Sequence, residues 1–309
     1  MKRFLWVIFF ILILITVLSY ALVPGTIGIR HTQKVEVSDS QLQRYLLYPA
    51  RWAAWWPQKN KGEKGFIANG VLFHPQNATS SGIRVDAGSG ARIFPTYIEY
   101  GVTGDRQAQI IWTAEIPAGI DPFTRISRYF HARKLSGAIQ AGLISAADFL
   151  NDEKKVYGVP LRVEQVRDTL VLTARTKSDH YPSVKEYYGL IGKLREVIRR
   201  QNAHALDSPM LNVTFLDSSY QVSAGIPVDR NIAGQRDGIF TSKLIRGNIL
   251  TTTISGGQQQ VDAGLQTLKQ YMDDHRLISP AIPFQLLLTN RVQQPDSTRW
   301  ITKIYYPIF

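Results

Sequence analysis

Residues 248–275 read NILTTTISGGQQQVDAGLQTLKQYMDDH. The first eight, rich in Ile and Thr, are strand material because branched side chains suit a pleated, half-buried surface. Gly256-Gly257 interrupts the run, and Val261, Leu265, Leu268 and Met272 then recur at helical spacing. The stretch predicts a strand over Asn248 to Ser255, a turn, and a helix from Gln258 to His275. The same succession occurs upstream. A strand over Thr169 to Thr176 leads through a turn to a helix over Pro182 to Asn202, whose apolar face is Val184, Leu190, Ile191, Leu194 and Ile198.

Outward from these two stretches the flanks also match. A strand precedes each, Leu161 to Val166 and Gly238 to Leu244, and two strands follow each. The first pair is Leu211 to Leu216 and Tyr220 to Ile226; the second is Phe284 to Thr289 and Arg299 to Tyr305. The endings correspond as well: Gly225-Ile226-Pro227-Val228 and Tyr305-Tyr306-Pro307-Ile308. Residues 160–309 are therefore predicted to be a duplicated unit of four strands and one helix.

The first half has another texture. Pro24 to Lys34 reads as a short linker leading into a strand, and Ser38-Asp39-Ser40 signals the start of a short helix over Gln41 to Tyr48. Strand-like runs follow at Gly65 to Phe73, Ser81 to Val85, Ala91 to Tyr100 and Gln107 to Glu115. They are separated by Pro75-Gln76-Asn77, Asp86-Ala87-Gly88 and Thr103-Gly104-Asp105, the pattern of an antiparallel sheet. From Phe123 to Asn151 apolar residues return at helical spacing, with Asp121 as N-cap and Pro122 at the first helical position. Asp152-Glu153-Lys154-Lys155 reads as a charged hinge.

The extreme N-terminus is different again. Behind Lys2 and Arg3, Phe4 to Val23 contains no charged side chain. At about 1.5 Å per residue this run spans roughly 30 Å, the hydrocarbon thickness of a bilayer. It predicts a single-pass anchor over residues 1–23 in the inner (cytoplasmic) membrane, with the C-terminal domains extracytoplasmic and the lipid bilayer as a partner. Ser19-Tyr20-Ala21 leaves signal-peptidase cleavage open as the alternative.

Composition bounds the chemistry. The 309 residues contain 44% hydrophobic and 19% charged side chains, as in a globular protein, and no cysteine, which excludes disulfides and thiolate sites. The net charge of +12 comes from dispersed Lys and Arg. With an exported chain, that excess points to an anionic surface and not to nucleic acid.

On these residues, 158–309 resembles the GyrI-like, AraC-type effector-binding domain: a tandem repeat of strand, helix and strands that closes in an aromatic-proline ending, here Trp300 to Ile308. Residues 33–153 look like the SRPBCC (START-like, polyketide-cyclase-like) superfamily. The matching features are the short early helix, Arg51-Trp52-Ala53-Ala54-Trp55-Trp56-Pro57, the antiparallel strands and the long closing helix. The expected class is α+β: a START-like helix-grip domain, then the tandem-repeat domain. The resemblance implies an apolar cavity in each.

Members of the effector-binding family that bind cationic ligands or act as hydrolases carry a glutamate just before the aromatic-proline ending. Lys303 stands there in this chain, and Ser223 in the first unit. A lysine facing the cleft would repel a cation and favour an anionic or neutral ligand; strand alternation could equally turn it to solvent. The aromatic candidates for ligand contact are Tyr181, Tyr187, Tyr188, Trp300 and Tyr305, with Trp52, Trp56, Tyr97 and Trp112 for the first domain, since such rings offer apolar area with a polar edge.

No metal-binding His pair, phosphate loop or nucleophile elbow occurs; Gly88-Ser89-Gly90 reads as a turn. No catalytic residue, metal or cofactor is expected. The reading is non-catalytic binding of a small hydrophobic or amphipathic molecule, in a sensor or carrier. Two alternatives stand beside it. One is a cyclase- or hydrolase-type enzyme using Asp179, His180 and Glu186, of which Asp179 reads otherwise as a helix cap. The other is a partner-binding scaffold with degenerate pockets.

Overall fold

The computed structural model describes residues 2–58, 65–89, 92–166, 170–232 and 238–309; of residues 2, 3, 5 and 89 it describes the backbone only. Gly90, Ala91 and Thr169, which the sequence places at a turn and at two strand starts, lie outside the described residues, as do the Lys2 and Arg3 side chains. The chain is mixed α+β. It divides into two units, Met1–Val156 and Tyr157–Phe309.

The first unit begins with helix α1 (Lys2–Leu22) and strand β1 (Thr26–Val35). A short helix α2 (Asp39–Leu42) opens on a capping box in which Ser38 and Gln41 exchange side-chain and backbone bonds, and one π turn and one 3-10 turn carry the chain to Ala54. Strands β2 (Phe66–Ala68), β3 (Val71–Ala78), β4 (Gly82–Ser89), β5 (Arg92–Gly104) and β6 (Gln107–Pro117) form an antiparallel meander. The sheet order is β1-β6-β5-β4-β3-β2. The stretch read from sequence as a linker is thus itself a sheet strand. It pairs with β6 from Thr26↔Pro117 to Val35↔Ala108, which gives its backbone polar groups partners.

Helix α3 (Pro122–Leu150) starts where the sequence signals it. Asp121 accepts from the Thr124 amide at 2.8 Å, and Pro122 occupies the first turn. The helix packs against β1, β6, β2 and β3. The interior between them is filled by rings. Trp52 and Trp112 are fully buried, Trp56 nearly so, and Trp52 stacks on Trp56 at 5.5 Å and 5°. Each indole N–H has an acceptor: Leu46 for Trp52, Tyr45 for Trp55, Ile67 for Trp56, and Thr96 Oγ1 for Trp112. Gly142 lies close under this cluster: a Cβ there would stand 3.2 Å from the Trp112 ring, a tight approach.

The expected bilayer span through residues 4–23 is corrected by the structure. Among the described residues no helix is long and apolar enough to cross a membrane. The last turn of α1 belongs to the domain instead. Ser19 and Val23 are buried, and Tyr20 donates to the Ile120 carbonyl. Buried Arg125 donates to the Val23 carbonyl and lies 4.4 Å over the Tyr20 ring. Phe4 to Leu18 remains, about 22 Å of helix against roughly 30 Å of hydrocarbon. The single-pass inner-membrane placement, the extracytoplasmic position inferred from it, and the bilayer as partner fall with the span.

A short helix α4 (Glu153–Tyr157) occupies the predicted hinge. The second unit then runs β7 (Arg162–Gln165), β8 (Leu170–Ser178), α5 (Val184–Arg200), β9 (Met210–Leu216), β10 (Ser219–Pro227), β11 (Ile239–Lys243), β12 (Asn248–Ser255), α6 (Gln258–His275), β13 (Phe284–Leu287) and β14 (Ile301–Ile308). Among the described residues its eight strands form one antiparallel sheet in the order β11-β8-β10-β9-β13-β14-β12-β7. Helix α5 packs on β10 and β8, and α6 on β12 and β14. Beneath α5 lie Leu172, Ala174, Val222, Ala224 and Ile226, the even-numbered positions of β8 and β10, against Ile191 and Leu194. The odd-numbered positions of the same strands therefore form the opposite face of the sheet.

Candidate functional site

That opposite face carries a cleft. Strand pairing sets its floor in two rows. One runs Lys303–Leu286–Met210–Gly225–Thr173–Phe240 and the other Tyr305–Phe284, then Asn212–Ser223–Arg175. Val171, Met210 and Leu286 are buried there with Leu244, Phe284 and Tyr305 packed around them, a second apolar cluster distinct from the helix-side core. Phe284 and Tyr305 stack face to face at 5.0 Å and 10°. At the centre Gly225 leaves room: a Cβ there would come within 2.7 Å of Val171.

Two cavities occupy this face. The larger, about 570 Å³, is bordered by Glu164, Asp207, Met210, Leu244, Phe284 and Tyr305 among others. The smaller, about 260 Å³, reaches over Thr173, Arg175, Asn212 and Ser223. They share Val166, Met210, Leu244, Ile249 and Phe284, so they are two lobes of one groove. Its size falls in the range of roughly 300–1,000 Å³ usual for small-molecule sites.

The larger lobe has a definite electrostatic arrangement. Lys303 Nζ donates to both carboxylate oxygens of Glu164, at 2.8 and 2.9 Å, and lies 4.9 Å from the Tyr305 ring centre. Thr251 Oγ1 donates to Glu164 Oε1 at 3.0 Å. The Lys303 hydrogen bonds and the Thr251 hydroxyl hold the Glu164 carboxyl below its ordinary value, against a smaller opposing effect of burial. For Lys303, burial works against the charged form, but the bonds to Glu164 and Tyr305 outweigh it and the ammonium titrates above its ordinary value. Burial raises the Tyr305 phenol despite the lysine beside it.

The sequence candidates separate into distinct places. Lys303 and Tyr305 stand on the cleft face. Tyr187, Tyr188 and Trp300 belong to the other side of the sheet, gathered around Arg291. That arginine is 3% exposed; its Nη1 donates to Tyr187 at 3.2 Å, its amide to Tyr188 at 2.9 Å, and its guanidinium lies 4.7 Å over Trp300. Tyr181 packs edge-on against Tyr220 at 5.7 Å, and burial with the Asp262 charge pushes its phenol up to about 12. Trp52, Trp56 and Trp112 form the interior of the first unit, and Tyr97, 46% exposed on β5, points away from the buried Thr96 and Ile98 that flank it. A shallow hollow of about 310 Å³ in that unit, bordered by Ile67, Leu72, His74 and Asp86, touches none of the four.

The three polar candidates for catalysis are not in the cleft. Glu186 closes a capping box with Ser183, its carboxylate accepting from the Ser183 amide at 2.7 Å. The cap of α5 is therefore Ser183 and not Asp179. His180 sits 3.2 Å from Glu186 at this exposed helix start. Those bonds with Ser183 hold the Glu186 carboxyl below its ordinary value. Glu164, Asp207, Met210, Phe284 and Arg175 were not singled out as site residues in the sequence; strand alternation could have placed Glu164, Met210, Phe284 and Arg175 on one face only once the β7–β12, β9–β13 and β8–β10 pairings were known, and Asp207 lies on no strand.

No protein-family model and no curated protein matches the chain. Solved structures show a weak likeness of fold. The EcmrR C-terminal domain is 14% identical and covers 49% of this chain and 98% of that one, at a TM-score of 0.39. A hydrolase from Listeria innocua is 10% identical over 48% and 91%, at 0.38. SAV2435, bound to tetraphenylphosphonium, is 13% identical over 48% and 94%, at 0.33.

Proposed function

We propose that residues 158–309 are a non-catalytic binding domain for a small hydrophobic or amphipathic molecule, of the tandem-repeat effector-binding type. The observation that carries the reading is the two-lobed groove, with an apolar floor of Met210, Leu286 and Phe284 and a few polar groups at its ends. That combination is what small-molecule sites use: apolar area for affinity and sparse polar groups for orientation. The twice-run order of two strands, a helix and two strands supports the repeat. The enzyme alternative is disfavoured by the places of Asp179, His180 and Glu186, whose surroundings account for Glu186 as a helix cap.

For residues 33–153 we propose the helix-grip arrangement in a structural role. The support is the stacked tryptophans, which occupy the space between sheet and helix where such a fold would keep a cavity.

Native mass spectrometry of the purified chain tests the binding reading. The expected result is a retained small molecule, released on unfolding and absent from Leu244→Trp, whose indole would fill the groove. An unliganded mass, together with no rise in melting temperature on adding decanoate, 1-decanol or decyltrimethylammonium, would overturn it.

A further inference from the structure

The two ends of the groove differ in charge. The larger lobe is bordered by two carboxylates, Glu164 and Asp207. The smaller lobe is bordered by Arg175 and Lys243 and by no carboxylate. Glu164 is neutralised by Lys303, but Arg175 has no such partner: no hydrogen bond or ion pair reaches its guanidinium among the described residues, and its contact is the Phe240 ring, 5.0 Å away. A cation held over an aromatic face keeps its N–H edge available.

Arg175 also stands where a headgroup would find one hydroxyl donor. Its cross-strand neighbour is Ser223, and Asn212 follows on β9. The Ser223 hydroxyl has no hydrogen bond among the described residues. From β8 to β14 there are four strand spacings, about 19 Å along a flat sheet. Met210, Leu244, Ile249 and Phe284 line the way between as the shared walls of the two lobes.

We propose that the groove takes an elongated amphipathic carboxylate, its headgroup on Arg175 and Ser223 and its apolar chain along Met210, Ile249 and Phe284 toward Tyr305. This rests on the binding reading above and adds to it the class and direction of the ligand. A guanidinium presents a planar fork that matches a carboxylate in two parallel hydrogen bonds. The Asp207 end repels the same headgroup, so the opposite orientation is disfavoured.

Calorimetric titration of the full chain with decanoate, 1-decanol and decyltrimethylammonium, each below micelle-forming concentration, tests it. Decanoate is expected to bind about ten-fold tighter than 1-decanol, as a charge-assisted bidentate contact would give. Arg175→Gln should remove that advantage while leaving 1-decanol within about two-fold. Arg175→Lys should retain part of it. Equal weakening of decanoate and 1-decanol in Arg175→Gln, or tighter binding of decyltrimethylammonium than of decanoate, would overturn the assignment while the binding reading stands. Failure of all three probes to bind would remove both.

Discussion

Lys303 on β14 and Glu164 on β7 are bonded across the intervening strand β12, with both carboxylate oxygens within 2.9 Å of one ammonium. The position at which a bare lysine would have made the cleft cationic is thereby neutral. The pair also ties the edge strand β7, only four residues long, to an interior strand. The Glu164 side chain is about a third exposed and Lys303 less so, which places the interaction between a surface ion pair and a buried one.

A double-mutant cycle isolates this contact. Lys303→Met and Glu164→Gln are each expected to cost about 1 kcal/mol in urea unfolding, and the double variant less than their sum. The coupling should be roughly 0.5–1 kcal/mol, the upper part of the range for partly solvated pairs. A coupling indistinguishable from zero would mean that β7 is held by its backbone ladder to β12 alone.

The same pair sets a pH signature. The Glu164 carboxyl is lowered in the folded chain, so its stabilisation is complete above the ordinary carboxylate value and is lost as pH falls through the lower folded value. The Lys303 ammonium is raised, so its part is complete below the ordinary lysine value and disappears as pH rises through the higher folded one. Between these limits the contribution is flat. Unfolding free energy measured from acid to neutral pH should fall less steeply at the acid end for Glu164→Gln than for the parent. Superimposable slopes would count against the linkage.

Much of the second unit was legible in the sequence because its elements are locally encoded. Helix α6 spans Gln258–His275 as predicted from the spacing of Val261, Leu268 and Met272, and β12 spans Asn248–Ser255. What the sequence hides is pairing at a distance. Glu164 and Lys303 are 139 residues apart, and no local pattern links them. Arg175 and Ser223 meet only through the β8–β10 register. At the N-terminus apolar length misled, since Tyr20 and Val23 are held by Ile120 and Arg125, far along the chain.

In the first unit the interior depends on one relay of hydroxyl and indole. Trp112 Nε1 donates to Thr96 Oγ1 at 2.8 Å, and Thr96 Oγ1 donates to the Val85 carbonyl at 2.8 Å, both buried. Thr96→Val keeps the shape and strands the indole N–H, at an expected cost of about 1–3 kcal/mol in thermal unfolding. Trp112→Phe alongside it removes the orphaned donor, so the double variant should lose less than the two single losses added. Strict additivity would show that the hydrogen bond contributes nothing beyond packing.

The start of α5 separates two candidate caps. Ser183→Ala removes the hydroxyl that accepts from the Glu186 amide and is expected to cost about 1 kcal/mol. Asp179→Ala, outside that box, should change stability by less than about 0.5 kcal/mol. Urea melts of the two variants decide it, and a larger effect at Asp179 would reassign the cap.

Arg291 is the sharpest test of the helix-side interior. It is a buried guanidinium whose partners are hydroxyls and rings: Thr302 at 2.8 Å, Tyr187 at 3.2 Å and the Trp300 face. Its Nε is buried without a hydrogen-bond partner among the described residues. A cation kept from water on neutral acceptors is costly, so its removal with shape retained should be tolerated better than its removal with a cavity left behind. Arg291→Ala is expected to lose about 3 kcal/mol or more, while Arg291→Met should recover roughly 1–2 kcal/mol of that by filling the space. Tyr187→Phe removes one acceptor from the charge and should cost about 1–3 kcal/mol. Equal losses for Arg291→Ala and Arg291→Met would assign the whole effect to the hydrogen bonds and the cation–π contact, and none of it to packing.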